Sequence, residues 1–212
     1  MSSLQVDHSH YFLEKYGSLD RFISYYYQIN SLRKLKIKKI LFVGVGDGVV
    51  PEYLKKLPGI ELTTFDIDPA LKPDVVGDIH TLPFADNTFE AIAVFEVLEH
   101  LPFEEFPNIL KELKRVCSKN LVISLPCRET SFDFTFIFPG IRTLLKKDFI
   151  RILLRIPLKF GGFKNSGQHY WEIDRWNFRL SKIRSILKQN FILAEENNVV
   201  LDAYHIFFTL KK

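Results

Sequence analysis

Apolar positions along the chain alternate between two spacings, which predict strands and helices in turn. Short strand-like runs occupy 40–43, 60–65, 91–95 and 120–125, and their β-branched and aromatic content is typical of strands buried in a parallel sheet. Between them, apolar residues recur every three or four positions and predict helices at about 19–33 and 106–116. Strands that alternate with helices predict an α/β, Rossmann-like, doubly wound sheet with helices on both faces.

The rest of the chain adds three strands and one helix to this pattern. A short strand is expected near 74–79, before the run at 91–95. Ile183, Ile186 and Leu187 have helical spacing and predict the final helix. The segments 191–200 and 204–210 then predict a closing β-hairpin, which brings the sheet to seven strands.

An insertion of unusual composition separates the fifth strand from the final helix. Residues 128–178 contain many phenylalanine and leucine residues among closely spaced arginines and lysines. Segments that follow strand ends cover the binding crevice of such a sheet, so we predict a helical lid that shapes the acceptor pocket. Two alternatives are a helical hairpin packed on the sheet edge and a peripheral membrane contact through the lid.

Composition excludes several classes of protein. The 212 residues are 47% hydrophobic and 25% charged, as in an ordinary soluble domain. A net charge of +4 is too small to argue for nucleic acid. Cys117 and Cys127 form no CxxC pair, so we expect neither a disulfide framework nor a zinc site. The polar N-terminus and the lack of a long apolar run lead us to expect a cytoplasmic protein.

A glycine-rich turn follows the first strand and is the main candidate for a ligand site. Gly44, Gly46 and Gly48 are spaced as G-x-G-x-G, whereas a dinucleotide fingerprint would need a glycine at Val49. Such a turn lets the backbone approach a ligand, and the following helix N-terminus offers free N–H groups. Asp66, 18 residues after Gly48, ends the second strand, where a carboxylate can bind a ribose diol. Alternatively, Asp66 is only a turn residue.

These motifs, in this order, resemble class I S-adenosylmethionine-dependent methyltransferases of the type 11 branch. The resemblance covers about 38–127 and includes the glycine turn, the segment Leu82-Pro83-Phe84 to Glu90, and Glu96-Val97-Leu98-Glu99-His100. It implies S-adenosylmethionine as cofactor, a last strand that is antiparallel, and Asp78 and Ile79 beside the adenine, although Asp78 could instead be a turn carboxylate. The implied cofactor-binding residues are Gly44, Val45, Gly46, Gly48, Asp66, Ile67, Asp78, Ile79 and Glu96.

One residue departs from the family pattern. Phe42 stands where the family often has an acid that orients the cofactor-binding loop. The resemblance also leads us to expect one methyltransferase domain over 1–212. Its expected parts are an N-terminal helical cap over 1–37, a cofactor-binding core over 38–127, the lid insertion over 128–178, and a C-terminal helix and β-hairpin over 179–212.

The candidates for catalysis lie after the fourth strand and in the segment 167–173. His100 and His169 are candidate general bases, and Tyr170 and Trp171 are candidate substrate contacts. Trp171 could equally pack the lid, and Glu96, Glu99 and His100 could be structural. Some relatives use a similar E-x-x-E-H for magnesium, but magnesium prefers an all-oxygen shell, so we expect no metal here.

Three functions remain open at this point. The first is methyl transfer from S-adenosylmethionine to a small-molecule, lipid-like or sugar-derived acceptor. The second is methylation of RNA or protein, although no nucleic-acid module is recognisable. The third is a non-catalytic module that only binds S-adenosylmethionine, because a fold does not imply a function. The acceptor and the oligomeric state are not determined by these patterns.

Overall fold

A computed structural model describes residues 17–128, 131–138, 140–146, 149–155, 169–174, 177–199 and 204–212. The helices are α1 (Leu19–Lys34), α2 (Val49–Lys55), α3 (Phe106–Val116), α4 (Ile141–Leu145) and α5 (Leu180–Asn190). The strands are β1 (Lys39–Val43), β2 (Glu61–Asp66), β3 (Val75–Val76), β4 (Phe89–Phe95), β5 (Cys117–Pro126), β6 (Ser131–Phe136), β7 (Ile150–Arg155), β8 (Ile192–Asn198) and β9 (His205–Lys211).

Seven strands form one sheet in the order β3-β2-β1-β4-β5-β9-β8. Strands β1 to β5 are parallel to one another, and β9 is antiparallel to both β5 and β8. The predicted α/β class, the seven strands and the antiparallel last strand are therefore confirmed. The chain reverses its winding direction between β1 and β4, and the crevice for a ligand lies at the carboxyl ends of these strands.

Both faces of the sheet are covered by apolar packing, as the sequence pattern predicts. Leu41 and Val43 of β1 face one core, which also contains the buried faces of α3 and α5. Ile40 and Phe42 of the same strand face the other core, with residues of α1 and α2. The alternation explains why β1 is apolar from Ile40 onwards, and it holds the carboxyl end of the strand rigidly.

The insertion differs from the predicted helical lid. Its described part contains strands β6 and β7, which pair antiparallel, and the five-residue helix α4 between them. The sequence signal for strands is the alternation of Phe132, Phe134 and Phe136, which repeats every second residue. The helical expectation is wrong for this part of the insertion, because side chains that alternate every second residue can cover one face of a strand but not one face of a helix. Residues 156–168 of the insertion lie outside the described part of the chain, as do residues 1–16 of the expected N-terminal cap.

Candidate active site

The glycine turn connects β1 to α2 at the centre of the crevice. Gly44 has a φ of 86°, and a Cβ added there would overlap the side chain of Val97, so only glycine fits. Its N–H donates to the Phe65 carbonyl at 2.9 Å, which ties the turn to β2. Gly48, with a φ of 81°, is the N-cap of α2. The turn therefore keeps its shape through contacts on both sides.

Asp66 ends β2 and holds the glycine turn in place. Its carboxylate accepts the Val45 N–H at 2.7 Å and the Asp68 N–H at 2.9 Å. Burial raises the pKa of the Asp66 carboxyl, although these two backbone donors act in the opposite direction. The next residue, Ile67, has about a third of its side chain exposed at the rim of the crevice. Gly44, Val45, Asp66 and Ile67 are thus brought together, as predicted.

Asp78 follows β3, which pairs with β2 so that Asp66 lies opposite Val76. Gly77 donates to the Asp66 carbonyl at 2.9 Å, which aligns the two segments. The Asp78 carboxylate contacts Nδ1 of His80, and Nε2 of His80 lies 2.8 Å from Glu105. Burial lowers the pKa of His80, but the two carboxylates outweigh it and raise the pKa above its ordinary value.

Two residues near the cofactor crevice belong to the apolar cores. Ile79 is only 7% exposed and packs in the core with Phe65. Phe42, which replaces the usual acid, is buried on the opposite side of the sheet with its ring centroid 5.8 Å from that of Phe95. The alternation of β1 directs Phe42 into this core, so an apolar side chain suits the position.

Glu96 follows β4 and contacts α1. It has a φ of 54°, and its N–H donates to the Ser124 hydroxyl at 3.1 Å. Its carboxylate forms an ion pair with Arg21 and accepts a hydrogen bond from Ser24 at 2.8 Å. Nε2 of His205 lies 3.6 Å away. The structure thus places this predicted cofactor-binding carboxylate against the N-terminal helix.

A second group of polar side chains lies beside Glu96 at the carboxyl end of β4. Glu99 is 1% exposed, and its Oε2 has no hydrogen-bond partner among the residues that the structure describes. Burial raises the pKa of this carboxyl to about 7. His100 stacks edge-to-face on His169 with ring centroids 4.8 Å apart. The two candidate bases, separated by 69 positions in the sequence, are therefore neighbours.

Glu172 fixes the orientation of His169. Nδ1 of His169 lies 2.9 Å from Oε1 of Glu172, so this nitrogen carries the proton and donates. The Tyr204 hydroxyl donates to the same oxygen at 2.9 Å. Burial opposes ionisation of Glu172, but the two donors outweigh burial and lower its pKa. Burial likewise lowers the pKa of His169, but Glu172 raises it to a net value above the ordinary one.

The two predicted substrate contacts, Tyr170 and Trp171, differ in how far their side chains are exposed. Trp171 is fully buried, its Nε1 donates to the Leu101 carbonyl at 3.0 Å, and its ring packs on Phe103 and Phe106. This corrects its assignment as a substrate contact, because a side chain without exposed surface cannot touch a ligand, and it supports the packing alternative. Tyr170 is 51% exposed and donates its N–H to the Glu99 carbonyl at 2.8 Å, so it stays a candidate.

Glu99, His100 and His169 are the described residues that could hold a metal ion. One ligand atom from each lies within 4.8 Å of the others. The buried Oε2 of Glu99 would suit a cation, but two imidazoles and one carboxylate match zinc-like ions better than magnesium. The absence of a metal therefore stays a prediction, and magnesium is disfavoured by the donor set.

Several residues of the site carry no local signal in the sequence. Tyr204 and His205 reach it because β9 pairs with β5 in a register that places His205 opposite Pro126. Arg21 and Ser24 reach it from α1. Glu172 stands out only by its short distance from His169 along the chain. None of the helices in the described part of the chain has the length and apolar content needed to cross a membrane.

Comparison with known proteins shows similarity to methyltransferases. Residues 41–124 match the family model described as methyltransferase domain. Demethylmenaquinone methyltransferase of Thermotoga maritima is 30% identical over 124 residues, covering 50% of this chain and 53% of the relative. The chain thus spans about half the length of this curated relative.

Solved structures show the same fold over nearly the whole chain. A SAM-dependent methyltransferase from Aquifex aeolicus superposes with a TM-score of 0.60 at 16% identity, covering 97% of this chain and 98% of that one. Magnesium protoporphyrin IX methyltransferase from Synechocystis, solved with bound SAH, superposes with a TM-score of 0.59 at 16% identity, covering 100% and 90%. The family match over residues 41–124 and this shared fold make the chain similar to S-adenosylmethionine-dependent methyltransferases.

Proposed function

We propose that this chain transfers a methyl group from S-adenosylmethionine to a small-molecule acceptor bound beside His169. The observation that carries the proposal is the contact of Asp66 with the Val45 N–H, which joins the glycine turn to β2 at the carboxyl ends of the parallel strands. In this proposal Gly44 to Gly48 border the methionine part of the donor. Asp66 and Ile67 hold its ribose, and Asp78 and Ile79 hold its adenine.

The chemistry requires alignment more than activation. The bond from sulfur to the methyl carbon breaks and its electron pair stays on sulfur, while a lone pair of the acceptor forms the new bond to carbon. The positive charge of the sulfonium is lost in this step, so excluding water and fixing the line of attack are the main contributions of the protein. A hydroxyl acceptor must also lose its proton, and Nε2 of His169 is the base we assign to it.

Support for a small-molecule acceptor comes from the relatives and from the site itself. The curated relative is named for demethylmenaquinone and one structural neighbour for magnesium protoporphyrin IX. In this chain, the side chains of Glu99, His100 and His169 form a narrow polar group beside the half-exposed Tyr170. Such a site suits one polar group of the acceptor, such as a hydroxyl of a lipid-like or sugar-derived molecule.

Calorimetric titration tests the cofactor assignment. We expect S-adenosylmethionine to bind the purified chain, and Asp66→Asn and Asp78→Asn each to weaken it by about ten- to a hundredfold, because a hydrogen bond to a charged group contributes about 1.5–3 kcal/mol. Asp86→Asn is the matched control, since Asp86 precedes β4 at the opposite end of the sheet and its side chain is 68% exposed. Equal binding by all three variants, or binding of a nicotinamide dinucleotide instead, contradicts the assignment.

The acceptor class is tested with methyl-labelled donor and a fractionated cell extract. We expect the label in the small-molecule or lipid fraction, and we expect His169→Gln to slow its transfer by about a hundredfold or more. Label in RNA or protein would replace the proposed acceptor with the corresponding macromolecule. Cofactor binding with no labelled product in any fraction would favour the non-catalytic module.

A further inference from the structure

Exposed apolar side chains are concentrated in the insertion between β5 and α5. Of the 20 large hydrophobic side chains that are exposed in the described residues, 10 lie between Phe132 and Leu154. Ile137 is 77% exposed and Leu144 is 81% exposed. A soluble domain seldom leaves so many apolar groups together in water, so this concentration points to an interaction surface.

The pairing of β6 with β7 places six of these side chains on one face. The partners across the two strands are Phe132 with Leu154, Phe134 with Ile152, and Phe136 with Ile150. Residues of a strand alternate between faces, and directly paired residues share a face. We call these six side chains the hairpin face. Each of them is between 36% and 50% exposed.

The opposite face of the hairpin is attached to the main sheet. Arg151 alternates with Ile150 and Ile152, so its side chain lies on that other face. Its guanidinium donates to the Asn198 carbonyl at 3.3 Å and to the Val199 carbonyl at 2.6 Å. This attachment at the end of β8 directs the hairpin face away from the body of the protein.

Charge distinguishes between the partners that could cover the hairpin face. The connection between β6 and β7, residues 137–149, contains three basic side chains and one acidic side chain, in addition to Arg151 on the opposite face of the hairpin. A second copy docked face to face would bring two positive clusters together, which is unfavourable. A phospholipid surface with negative headgroups accepts both the apolar face and the surrounding positive charge.

We propose that the hairpin face binds the surface of an anionic phospholipid membrane. The aromatic and branched side chains enter the boundary between headgroups and acyl chains, and basic residues such as Lys146 contact the headgroups. The attachment through Arg151 holds the rest of the domain against the bilayer. This proposal does not rest on methyl transfer, because it uses no residue of the cofactor or acceptor site.

Co-sedimentation of the full chain with vesicles tests the proposal. Vesicles of equal parts phosphatidylcholine and phosphatidylglycerol are compared with vesicles of phosphatidylcholine alone. We expect binding to the anionic vesicles that weakens as salt is raised. Phe134→Thr with Ile152→Thr should reduce the partition by about tenfold or more, since two large apolar groups no longer leave water.

Two matched variants separate a local effect from a general one. Ile192→Thr makes the same replacement on β8, where Ile192 is 66% exposed, and should leave vesicle binding unchanged. Lys146→Gln should weaken binding to anionic vesicles more than Lys188→Gln on α5 does. Circular dichroism and titration with S-adenosylmethionine confirm that each variant is folded.

The outcomes that overturn the proposal are distinct. Failure of the wild-type chain to bind anionic vesicles overturns it, as does equal loss of binding in the double variant and in Ile192→Thr. A wild-type dimer in sedimentation velocity that the double variant converts to monomer, with no vesicle binding, assigns the hairpin face to a second copy instead. Because cofactor binding is measured separately, failure here leaves the proposed function untouched.

Discussion

The carboxylate of Glu172 decides which nitrogen of His169 is available for chemistry. It accepts a hydrogen bond from the N–H at Nδ1 and leaves Nε2 as the atom that can take a proton from a methyl acceptor. Tyr204 supports the same oxygen from β9. His169 was found from the sequence because polar and aromatic residues are concentrated around it, whereas Tyr204 lies 32 positions beyond Glu172 and has no local signal.

The His169–Glu172 pair predicts a specific pH dependence. Because Glu172 raises the pKa of His169, the neutral base forms at a higher pH than it would for an ordinary histidine. Glu172→Gln removes this charge, so the acidic limb of the kcat profile should move to lower pH. His169→Gln should lower kcat by about a hundredfold or more and leave the Kd of S-adenosylmethionine unchanged.

The pair also contributes to stability in a defined range of pH. The raised pKa of His169 stabilises the folded state, and this stability is lost as pH rises through the pKa of His169 in the folded state. The lowered pKa of Glu172 also stabilises the folded state, and this stability is lost as pH falls through the pKa of Glu172 in the folded state. The free energy of unfolding should therefore gain most from the pair between these two values. If the acidic limb of the kcat profile does not move in Glu172→Gln, then Glu172 does not raise the pKa of His169.

At the scale of elements, α1 is held to the end of β4 by side chains rather than by backbone pairing. Arg21 and Ser24 bind the Glu96 carboxylate, and the Tyr25 hydroxyl donates to Asp47 in the glycine turn at 2.5 Å. The helical period of 19–33 predicted this element well. Its attachment could not be predicted, because it joins residues that lie about 70 positions apart in the sequence.

We expect Arg21→Ala to loosen α1 locally. Loss of the ion pair leaves the nearly buried Glu96 carboxylate with fewer partners, at a cost of about 1.5–3 kcal/mol. Hydrogen exchange of the α1 amides should accelerate by about tenfold or more. Arg33→Ala, at an exposed position in the last turn of the same helix, should leave the exchange rate unchanged. Equal acceleration in both variants would mean that the contact with Glu96 does not hold the helix.

For the whole molecule, the sheet and the cofactor half of the site were predictable, and the acceptor half was only partly so. Uniform apolar runs identify β1, β4 and β5, and Gly44 and Asp66 are found by spacing along the chain. The acceptor half is assembled from the ends of β4, β5 and β9 and from 169–172, so its contacts depend on strand register. The register between β5 and β9, in which Pro126 pairs with His205, is set by the packing of the core and leaves no local pattern in the sequence.

The position of β9 inside the sheet has a consequence for the order of folding. Because β8 bonds only to β9 in the described sheet, and β9 bonds to β5, β8 cannot be protected before β9 has docked. Pulse-labelling hydrogen exchange during refolding should show amides of β8 protected together with or after those of β9. Earlier protection of β8 would contradict this order.

The same arrangement matters while the chain is being synthesised. Until His205–Lys211 has left the ribosome, the edge of β5 is open and the hydrogen-bonding groups of β8 have no strand to pair with. The nascent chain then presents a long apolar edge to other chains, which is the condition under which strands aggregate. Protection from a holding chaperone would be needed most during this interval, after most of the sheet has been made and before its seventh strand has been added.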